Sequence, residues 1–202
     1  MFMGKKKYFK TSFYIILLLF NVSFNMYSET KCRKLSDTLI YWNSDDYLKW
    51  EDFKGKPDTG SYLKALTMAE VKAFPCKKGA NYEYKVICRF IKNESWVKDT
   101  SAALLRHEQI HFDIAEVIAR KMRKGLLLLK SEESTTNEDY KEYLDSMFLK
   151  LHQIQKKYDK ETAQGTILTN QKKWEAKTNN QLKELERYSV NYSKYIECVS
   201  DK

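Results

Sequence analysis

Residues 107–111 read His-Glu-Gln-Ile-His and contain two of the three histidines in the chain. In an α-helix, residues four apart lie on nearly the same side, one turn above the other. His107 and His111 could therefore hold one zinc ion between them, with Glu108 close to a water molecule on that ion. The spacing predicts metal-assisted hydrolysis of an amide bond, in which Glu108 is the general base and not a ligand.

The sequence around this motif is typical of a buried helix. Apolar residues precede it at 102–105 and follow it at Phe112, Ile114 and 117–118. A short motif can arise by chance, and a helical histidine more often has an ordinary hydrogen-bond partner. Buried polar groups need partners, however, and one zinc ion would satisfy both imidazoles at once. The apolar flanks therefore favour a metal site over a chance match.

Two histidines leave a zinc site incomplete, because a catalytic zinc ion has three protein ligands and one open position. Asp113 and Glu116 follow His111 by two and five residues, which places them about 160° and 140° around the helix. Neither can easily reach the same ion. The third ligand is therefore expected from another segment of the chain.

The N-terminus has the pattern of a secretory signal peptide. Lys5–Lys7 and Lys10 precede an apolar stretch at 13–24. That stretch is shorter than the about 20 residues needed to cross a bilayer. We expect residues 1–28 to be a signal peptide cleaved near Ser28, with an uncleaved membrane anchor as the alternative. The protein is then exported, to the periplasm or to the medium.

The net charge is less informative than it first looks. Removing residues 1–28 removes four lysines and no acids, which lowers the formal net charge from +9 to +5. Lysine and glutamate alternate in the C-terminal half, which is typical of solvated helix faces. No basic patch with interleaved aromatic residues is visible, so no nucleic-acid partner is expected. No stable membrane insertion is expected after cleavage of the signal either.

Four cysteines remain in the predicted mature chain, and an even number in an exported protein suggests two disulfides. Cys76 and Cys88 flank a predicted strand connection, which favours a bond between them. Cys32 and Cys198 would then join the two ends. The alternative, zinc ligation by cysteines, lacks support because the chain has no C-x-x-C spacing.

The first part of the mature chain is predicted to form strands. β-Branched or aromatic residues are frequent at Thr38–Trp42, Tyr47–Phe53 and Tyr62–Phe74. Tyr82–Ile91 shows alternation along ten residues, after a predicted turn at 77–81.

Helices are predicted after this point. One of the residues Asp99–Ser101 can cap the motif helix, and Gly125 can end it. A capping box at Thr135–Glu138 predicts the start of a second helix. A third helix is predicted at 170–188. The polar segment 158–165 is predicted to be a loop between the second and third helices, a place where functional residues often lie.

This order of elements predicts an α+β fold for residues 29–202 as one domain, with strands at about 38–91 and helices at about 99–190. We expect a zincin-like arrangement, in which a small N-terminal antiparallel sheet packs on the HExxH helix and C-terminal helices follow. The strand nearest the motif helix could bind an extended peptide by edge addition.

Three segments form an ordered set that covers most of residues 48–185. Trp50–Pro57 has the pattern W-x-D-F-x-G-x-P, residues 105–116 surround the H-E-x-x-H motif, and Tyr-Asp-Lys-Glu-Thr at 158–162 precedes Gln-Lys-Lys-Trp at 171–174. The set resembles the signatures of a bacterial family of secreted zinc-dependent proteases, inferred from sequence and catalogued as a domain of unknown function. The resemblance implies export, a zinc cofactor and peptidase chemistry.

The last of these segments supplies candidates for the third zinc ligand. We place Glu161 first, followed by Asp159, Gln164 and His152. In the family a histidine often follows the Glu-Thr pair by two residues, where this chain has Gln164, a weak neutral ligand. If that histidine is the ligand, zinc affinity is expected to be lower here, whereas Glu161 or Asp159 would leave the site intact. Tyr158 could donate a hydrogen bond to an oxyanion, although an aromatic residue there is more often part of the core.

Together these patterns predict an exported zinc metallopeptidase that acts on a peptide or protein substrate. His107, His111 and Glu161 are the predicted zinc ligands and Glu108 is the predicted general base. The alternative is a non-catalytic exported binding protein on a zincin-like fold, with a degenerate or structural metal site. Gln164 is the feature that keeps this alternative open.

Overall fold

The computed structural model describes residues 37–78, 81–132 and 134–192. The predicted signal peptide, Cys32 and Cys198 lie outside the described residues. The strands are β1 (Leu39–Tyr41), β2 (Ala65–Leu66), β3 (Ala69–Lys78), β4 (Asn81–Ile91) and β5 (Trp96–Val97). The helices are α1 (Ala102–Ser131), α2 (Asn137–Thr162) and α3 (Leu168–Glu184), with 3₁₀ turns at Trp50–Asp52 and Glu186–Tyr188.

The N-terminal part forms an antiparallel sheet with the strand order β1-β4-β3. Val86, Cys88 and Phe90 alternate along β4 and are fully buried, and Ile87 on the opposite face is buried as well. The face that carries Val86, Cys88 and Phe90 packs on α1. A separate antiparallel pair joins β2 to β5. The predicted α+β class, with a small antiparallel sheet followed by helices, is confirmed.

Cys76 and Cys88 do not form the predicted disulfide. In the β3–β4 ladder Cys76 lies opposite Glu83, whereas Cys88 lies opposite Val71. Val71 and Cys76 are five residues apart, or about 17 Å along a strand. A disulfide requires Cα atoms within about 7 Å, so the register of this hairpin makes the predicted bond wrong.

The strand predicted at Tyr47–Phe53 is also wrong. The Leu48 amide donates to Gln109 Oε1 of α1 at 2.8 Å, and the Lys49 amide donates to Asp52 Oδ2 at 3.0 Å. Side chains therefore satisfy the backbone groups that a strand would have paired with a neighbour.

The region predicted as one strand at Tyr62–Phe74 divides into β2 and β3. The Met68 amide, between the two strands, donates to Ser95 Oγ at 2.9 Å. That hydroxyl also donates to the Ile91 carbonyl oxygen. One serine side chain thus holds the break between the two strands, which the residue pattern did not predict.

Helix α1 begins where predicted but ends later. The Ser101 hydroxyl accepts a hydrogen bond from the Leu104 amide at 3.1 Å, which confirms the N-cap. Gly125 does not end the helix. A Cβ atom at Gly125 would lie 2.1 Å from the Tyr143 hydroxyl of α2. The glycine is thus required for close approach of two helices, and α1 continues to Ser131.

Helix α2 is capped by Thr136, one residue after the predicted position. Its hydroxyl accepts from the Asp139 amide, and the Asp139 carboxylate accepts from the Thr136 amide in return. The predicted loop at 158–165 is wrong over its first half, because α2 continues through Thr162. It ends at Ala163, which has the left-handed conformation of a helix C-terminus (φ 44°).

Helix α1 is the central element, in contact with the sheet, α2 and α3. It carries a buried charged cluster around Glu116, which accepts hydrogen bonds from Arg120, Arg123 and Tyr192. The partners compensate the cost of burying the carboxylate. Glu116 therefore helps to pack the C-terminal segment on α1 and does not lie with His107 and His111. Among the described helices, none has the length and apolar character of a membrane span.

Candidate metal centre

His107 and His111 of α1 meet Asp159 of α2 at one point. The two imidazole Nε2 atoms are 3.1 Å apart. Asp159 Oδ1 lies 3.2 Å from His107 Nε2 and 2.9 Å from His111 Nε2. One helix supplies both imidazoles because their spacing is one turn, and the neighbouring helix supplies the carboxylate. These three atoms form a nearly regular triangle of possible ligand atoms.

Two glutamine side chains determine which ring nitrogens face this triangle. His111 Nδ1 lies 2.6 Å from Gln155 Oε1, and His107 Nδ1 lies 3.3 Å from Gln171 Oε1. An amide oxygen only accepts hydrogen bonds, so with the amides in these orientations each Nδ1 carries the hydrogen. Each neutral imidazole then directs its Nε2 lone pair at the centre of the triangle.

Three lone-pair-bearing atoms at these distances repel one another unless a shared proton or a metal cation lies among them. In a tetrahedral zinc site, ligand atoms about 2.0–2.2 Å from the ion lie about 3.3–3.6 Å from one another. The sides of the triangle, 2.9–3.2 Å, are a few tenths of an ångström shorter. Two imidazoles and a carboxylate are also a common donor set for zinc. The residues therefore fit a divalent metal ion.

The electrostatics of the cluster also favour positive charge. Burial raises the pKa of Asp159, but contact with His107 and His111, when their Nε2 atoms are protonated, outweighs it and holds this pKa well below its usual range. Burial lowers the pKa of His111, but the hydrogen bond to Asp159 and the charge of Glu108 outweigh it, so the pKa is raised. Both shifts have the same cause, a carboxylate held next to two imidazoles.

Glu108 lies next to this cluster with a buried side chain, 3% exposed. Within the described part of the chain, its carboxylate has no hydrogen-bond or ion-pair partner. A buried carboxylate without a protein partner is costly unless water or a ligand hydrates it. Glu108 lines the same cleft as His107, His111 and Asp159, so its carboxylate is available to a molecule bound there.

The cleft has a volume of about 430 Å³. Segment 62–69, which contains β2, forms one wall, and α2 forms the other from Phe148 to Asp159. The lining away from the cluster is mainly apolar, with Leu66, Met68 and Leu151 among its residues. Among the described strands, β2 pairs with β5 alone, so its other edge is open to hydrogen bonding.

Glu161, placed first as the third ligand, is not brought to the cluster. It is two residues from Asp159 on α2, which places it about 160° around the helix. Its carboxylate accepts a hydrogen bond from Trp174 Nε1 at 2.8 Å and lies 3.6 Å from Lys157 Nζ. Asp159, the second candidate, lies with His107 and His111 instead.

The other candidates line or support the cleft without joining the triangle. Gln164 and His152 both line the cleft, with His152 about two turns before Asp159 on α2. Tyr158 is fully buried and stacks on the His107 ring, with centroids 4.6 Å apart. Its hydroxyl donates to Gln171 Oε1 at 2.8 Å, so it supports the site and does not donate to an oxyanion.

The turn after α2 is shaped to contact the His107 ring. Ala163, Gln164 and Gly165 all have positive φ angles. A Cβ atom at Gly165 would lie 3.0 Å from His107 Cβ and 3.3 Å from its Nδ1. Glycine therefore allows the backbone to pack directly on the imidazole. Sequence reasoning missed this contact, because nothing local to Gly165 indicates what it faces.

Sequence reasoning also missed Gln155 and Gln171. Gln155 carries one available signal, because it precedes Asp159 by four residues and so shares its face of α2. Gln171 carries no such signal. It reaches His107 across the packing of α3 on α1, which the spacing of residues does not reveal.

Comparison with known proteins identifies one segment of the chain. No curated protein and no solved structure matches the chain significantly. The segment that does match a family contains His107, Glu108, His111, Asp159 and Gly165. A domain of the family described as bacterial protein of unknown function (DUF922) is found at residues 92–165.

Proposed function

We propose that the protein is an exported zinc-dependent peptidase, with His107, His111 and Asp159 as metal ligands and Glu108 as general base. The observation that carries the proposal is the convergence of two Nε2 lone pairs and a carboxylate oxygen within 2.9–3.2 Å of one another. A buried, unpartnered carboxylate lies next to them in an open cleft. A structural zinc site is usually closed by four protein ligands, whereas a catalytic site keeps one position open.

The chain supplies the remaining parts of a hydrolytic site. Zinc, when bound, acidifies a water molecule and polarises a carbonyl group. Glu108 accepts the proton of the attacking water and can return it to the leaving amine. Asp159 takes the ligand position that the sequence pattern assigned to Glu161, and it leaves the charge of the metal only partly neutralised because both histidines are neutral.

The cleft supports a peptide as the substrate. An extended peptide between β2 and α2 can form main-chain hydrogen bonds with the open edge of β2. Apolar side chains of the peptide would contact Leu66, Met68 and Phe148. Phe148 precedes Asp159 by eleven residues, so the cleft follows α2 for about 16 Å. That length accommodates about five residues of extended peptide.

Metal analysis tests the ligand set. We expect one zinc ion per chain in the wild type and in Glu108→Gln, and loss of zinc in His107→Ala and Asp159→Ala. Glu161→Ala is the matched control on the same helix and is expected to retain zinc. Wild-type protein that stays free of zinc after growth with ample metal would overturn the proposal. Retention by Asp159→Ala with loss by Glu161→Ala would overturn the ligand assignment.

Cleavage of a peptide library tests the reaction. The wild type is expected to cleave peptides, and Glu108→Gln to lose this activity while retaining zinc. A wild type that holds zinc but cleaves no peptide would favour the alternative, a non-catalytic binding protein with a structural metal. Equal activity in the wild type and Glu108→Gln would remove Glu108 from the mechanism.

A further inference from the structure

Gln155 and Gln171 contact the Nδ1 atoms of His111 and His107, on the side of each ring away from Asp159. We infer that Gln155 and Gln171 are positioning residues of the metal centre, which hold both imidazoles in the tautomer and orientation that bind metal and so set its affinity. The inference rests on the proposed function. It concerns residues that the motif does not contain, one of which, Gln171, lies outside the matched domain.

Gln155 holds His111 at two points. Its Oε1 accepts from the ring Nδ1 at 2.6 Å, and its Nε2 donates to the His111 carbonyl oxygen at 2.9 Å. The two contacts connect the ring to the backbone of the same residue, so rotation of the ring would break one of them. Because Gln155 and Asp159 are one turn apart on α2, one face of that helix supplies both a ligand and the residue that orients another ligand.

Gln171 holds His107 from the third helix. It is 2% exposed, and its Oε1 accepts from both His107 Nδ1 and the Tyr158 hydroxyl. Tyr158 stacks on the same imidazole from α2, and Gly165 packs against its Nδ1 side. The ring is therefore enclosed by groups from three segments, and its Nε2 faces Asp159 and His111.

The amide group suits this role for an electrostatic reason. A carboxylate in place of Gln155 would also accept from Nδ1, but it would add a negative charge behind the ligand and make the imidazole more basic. Through this charge alone metal affinity would rise or stay the same, while the metal would acidify water less. A neutral amide fixes the tautomer without this loss, so the centre keeps a net positive charge when a dication is bound by two neutral imidazoles and one carboxylate.

Zinc affinity, measured by competition with a chromophoric chelator, tests the inference. Loss of a group that orients a ligand lowers metal affinity by about 10–100-fold, and we expect this for Gln155→Leu. Gln155→Glu retains the acceptor for Nδ1 but loses the donor to the His111 carbonyl oxygen, and it is expected to bind zinc more tightly than Gln155→Leu. Gln153→Leu is the matched control, because Gln153 is exposed on the same helix and contacts neither histidine.

The outcomes separate this inference from the proposed function. Wild-type affinity in Gln155→Leu, with zinc lost in His107→Ala, would overturn the positioning role and leave the peptidase proposal standing. Equal weakening in Gln155→Leu and Gln155→Glu would show that the acceptor for Nδ1 does not support metal affinity, and it would also overturn the positioning role. A wild type that binds no zinc would overturn both.

A second measurement does not need metal. Imidazole ¹⁵N chemical shifts of the metal-free protein at alkaline pH report which ring nitrogen carries the hydrogen. We expect the Nδ1–H form for both His107 and His111, and a change in the His107 tautomer population in Gln171→Leu. Predominance of the Nε2–H form in the wild type would overturn the inference, even if Gln171→Leu failed to fold.

Discussion

Gly165→Ala offers the sharpest test of how the turn after α2 supports the cluster of His107, His111 and Asp159. Gly165 has a φ of +83°, and an added Cβ atom would lie 3.0 Å from His107 Cβ and 3.1 Å from its Cγ. Two separate penalties follow. The backbone must hold an L-residue in a left-handed conformation, and the imidazole must move away from the new methyl group.

The expected size follows from these two terms. A left-handed conformation costs an L-residue about 1–2 kcal/mol, and an extra methyl group in a well-packed site costs about 1–3 kcal/mol. The lower entropy of the unfolded alanine chain offsets about 0.4–1 kcal/mol. We therefore expect Gly165→Ala to lower the free energy of unfolding by about 1–5 kcal/mol. On the proposed function, movement of His107 should also weaken zinc binding by at least about tenfold, which corresponds to about 1.4 kcal/mol.

Urea denaturation of the metal-free protein measures the first effect, and chelator competition measures the second. Gly60→Ala is the matched control. The nearest atom to its added Cβ is Asp58 Oδ1 at 3.5 Å, an ordinary contact, and the backbone there is not left-handed. Wild-type stability together with wild-type zinc affinity in Gly165→Ala would refute the reasoning, because neither the strained backbone nor the contact with His107 would then matter.

Three further predictions follow from the packing around the site. Gly125→Ala is expected to destabilise the protein by about 1–3 kcal/mol, because the new Cβ would displace the Tyr143 hydroxyl from between α1 and α2. An unchanged midpoint of urea denaturation would contradict this prediction. Ser101→Ala removes the N-cap of α1 and should cost about 1 kcal/mol, whereas Ser101→Asp should restore most of it in the same assay. On the proposed function, Phe148→Ala should lower kcat/KM by about tenfold for peptides that reach this part of the cleft. Leu149→Ala, an exposed neighbour that does not line the cleft, should leave kcat/KM unchanged, and equal effects of the two changes would exclude Phe148 from substrate binding.

Local patterns predicted several parts of this fold correctly. The alternation at Tyr82–Ile91 predicted β4, because one face of that strand is buried and the side-chain period of a strand is two. Ser101 was among the predicted caps of α1. The spacing of His107 and His111 also predicted a shared face of one helix, since four residues make about one turn.

The wrong predictions share a physical cause, which is contact with a distant segment. Glycine is a residue type that often ends a helix, but Gly125 is needed inside α1 because the Tyr143 hydroxyl packs directly against it. Segment 47–53 has strand-like residues, but Gln109 takes the hydrogen bond of the Leu48 amide. In both places a tertiary contact outweighs a local preference worth about 1 kcal/mol or less.

The residues of the candidate site also divide into those that the sequence predicts and those that only the tertiary structure places. The sequence by itself determined the two imidazoles and Glu108, because all three follow from the geometry of one helix. Only the tertiary structure decided that Asp159, and not Glu161, completes the triangle. The choice depends on how α2 is rotated against α1, and two residues on a helix differ by about 200° in direction. The contacts of Gln155 and Gln171 with the imidazoles also depend on the tertiary structure, because each glutamine lies on a helix other than the one that carries the histidine it contacts.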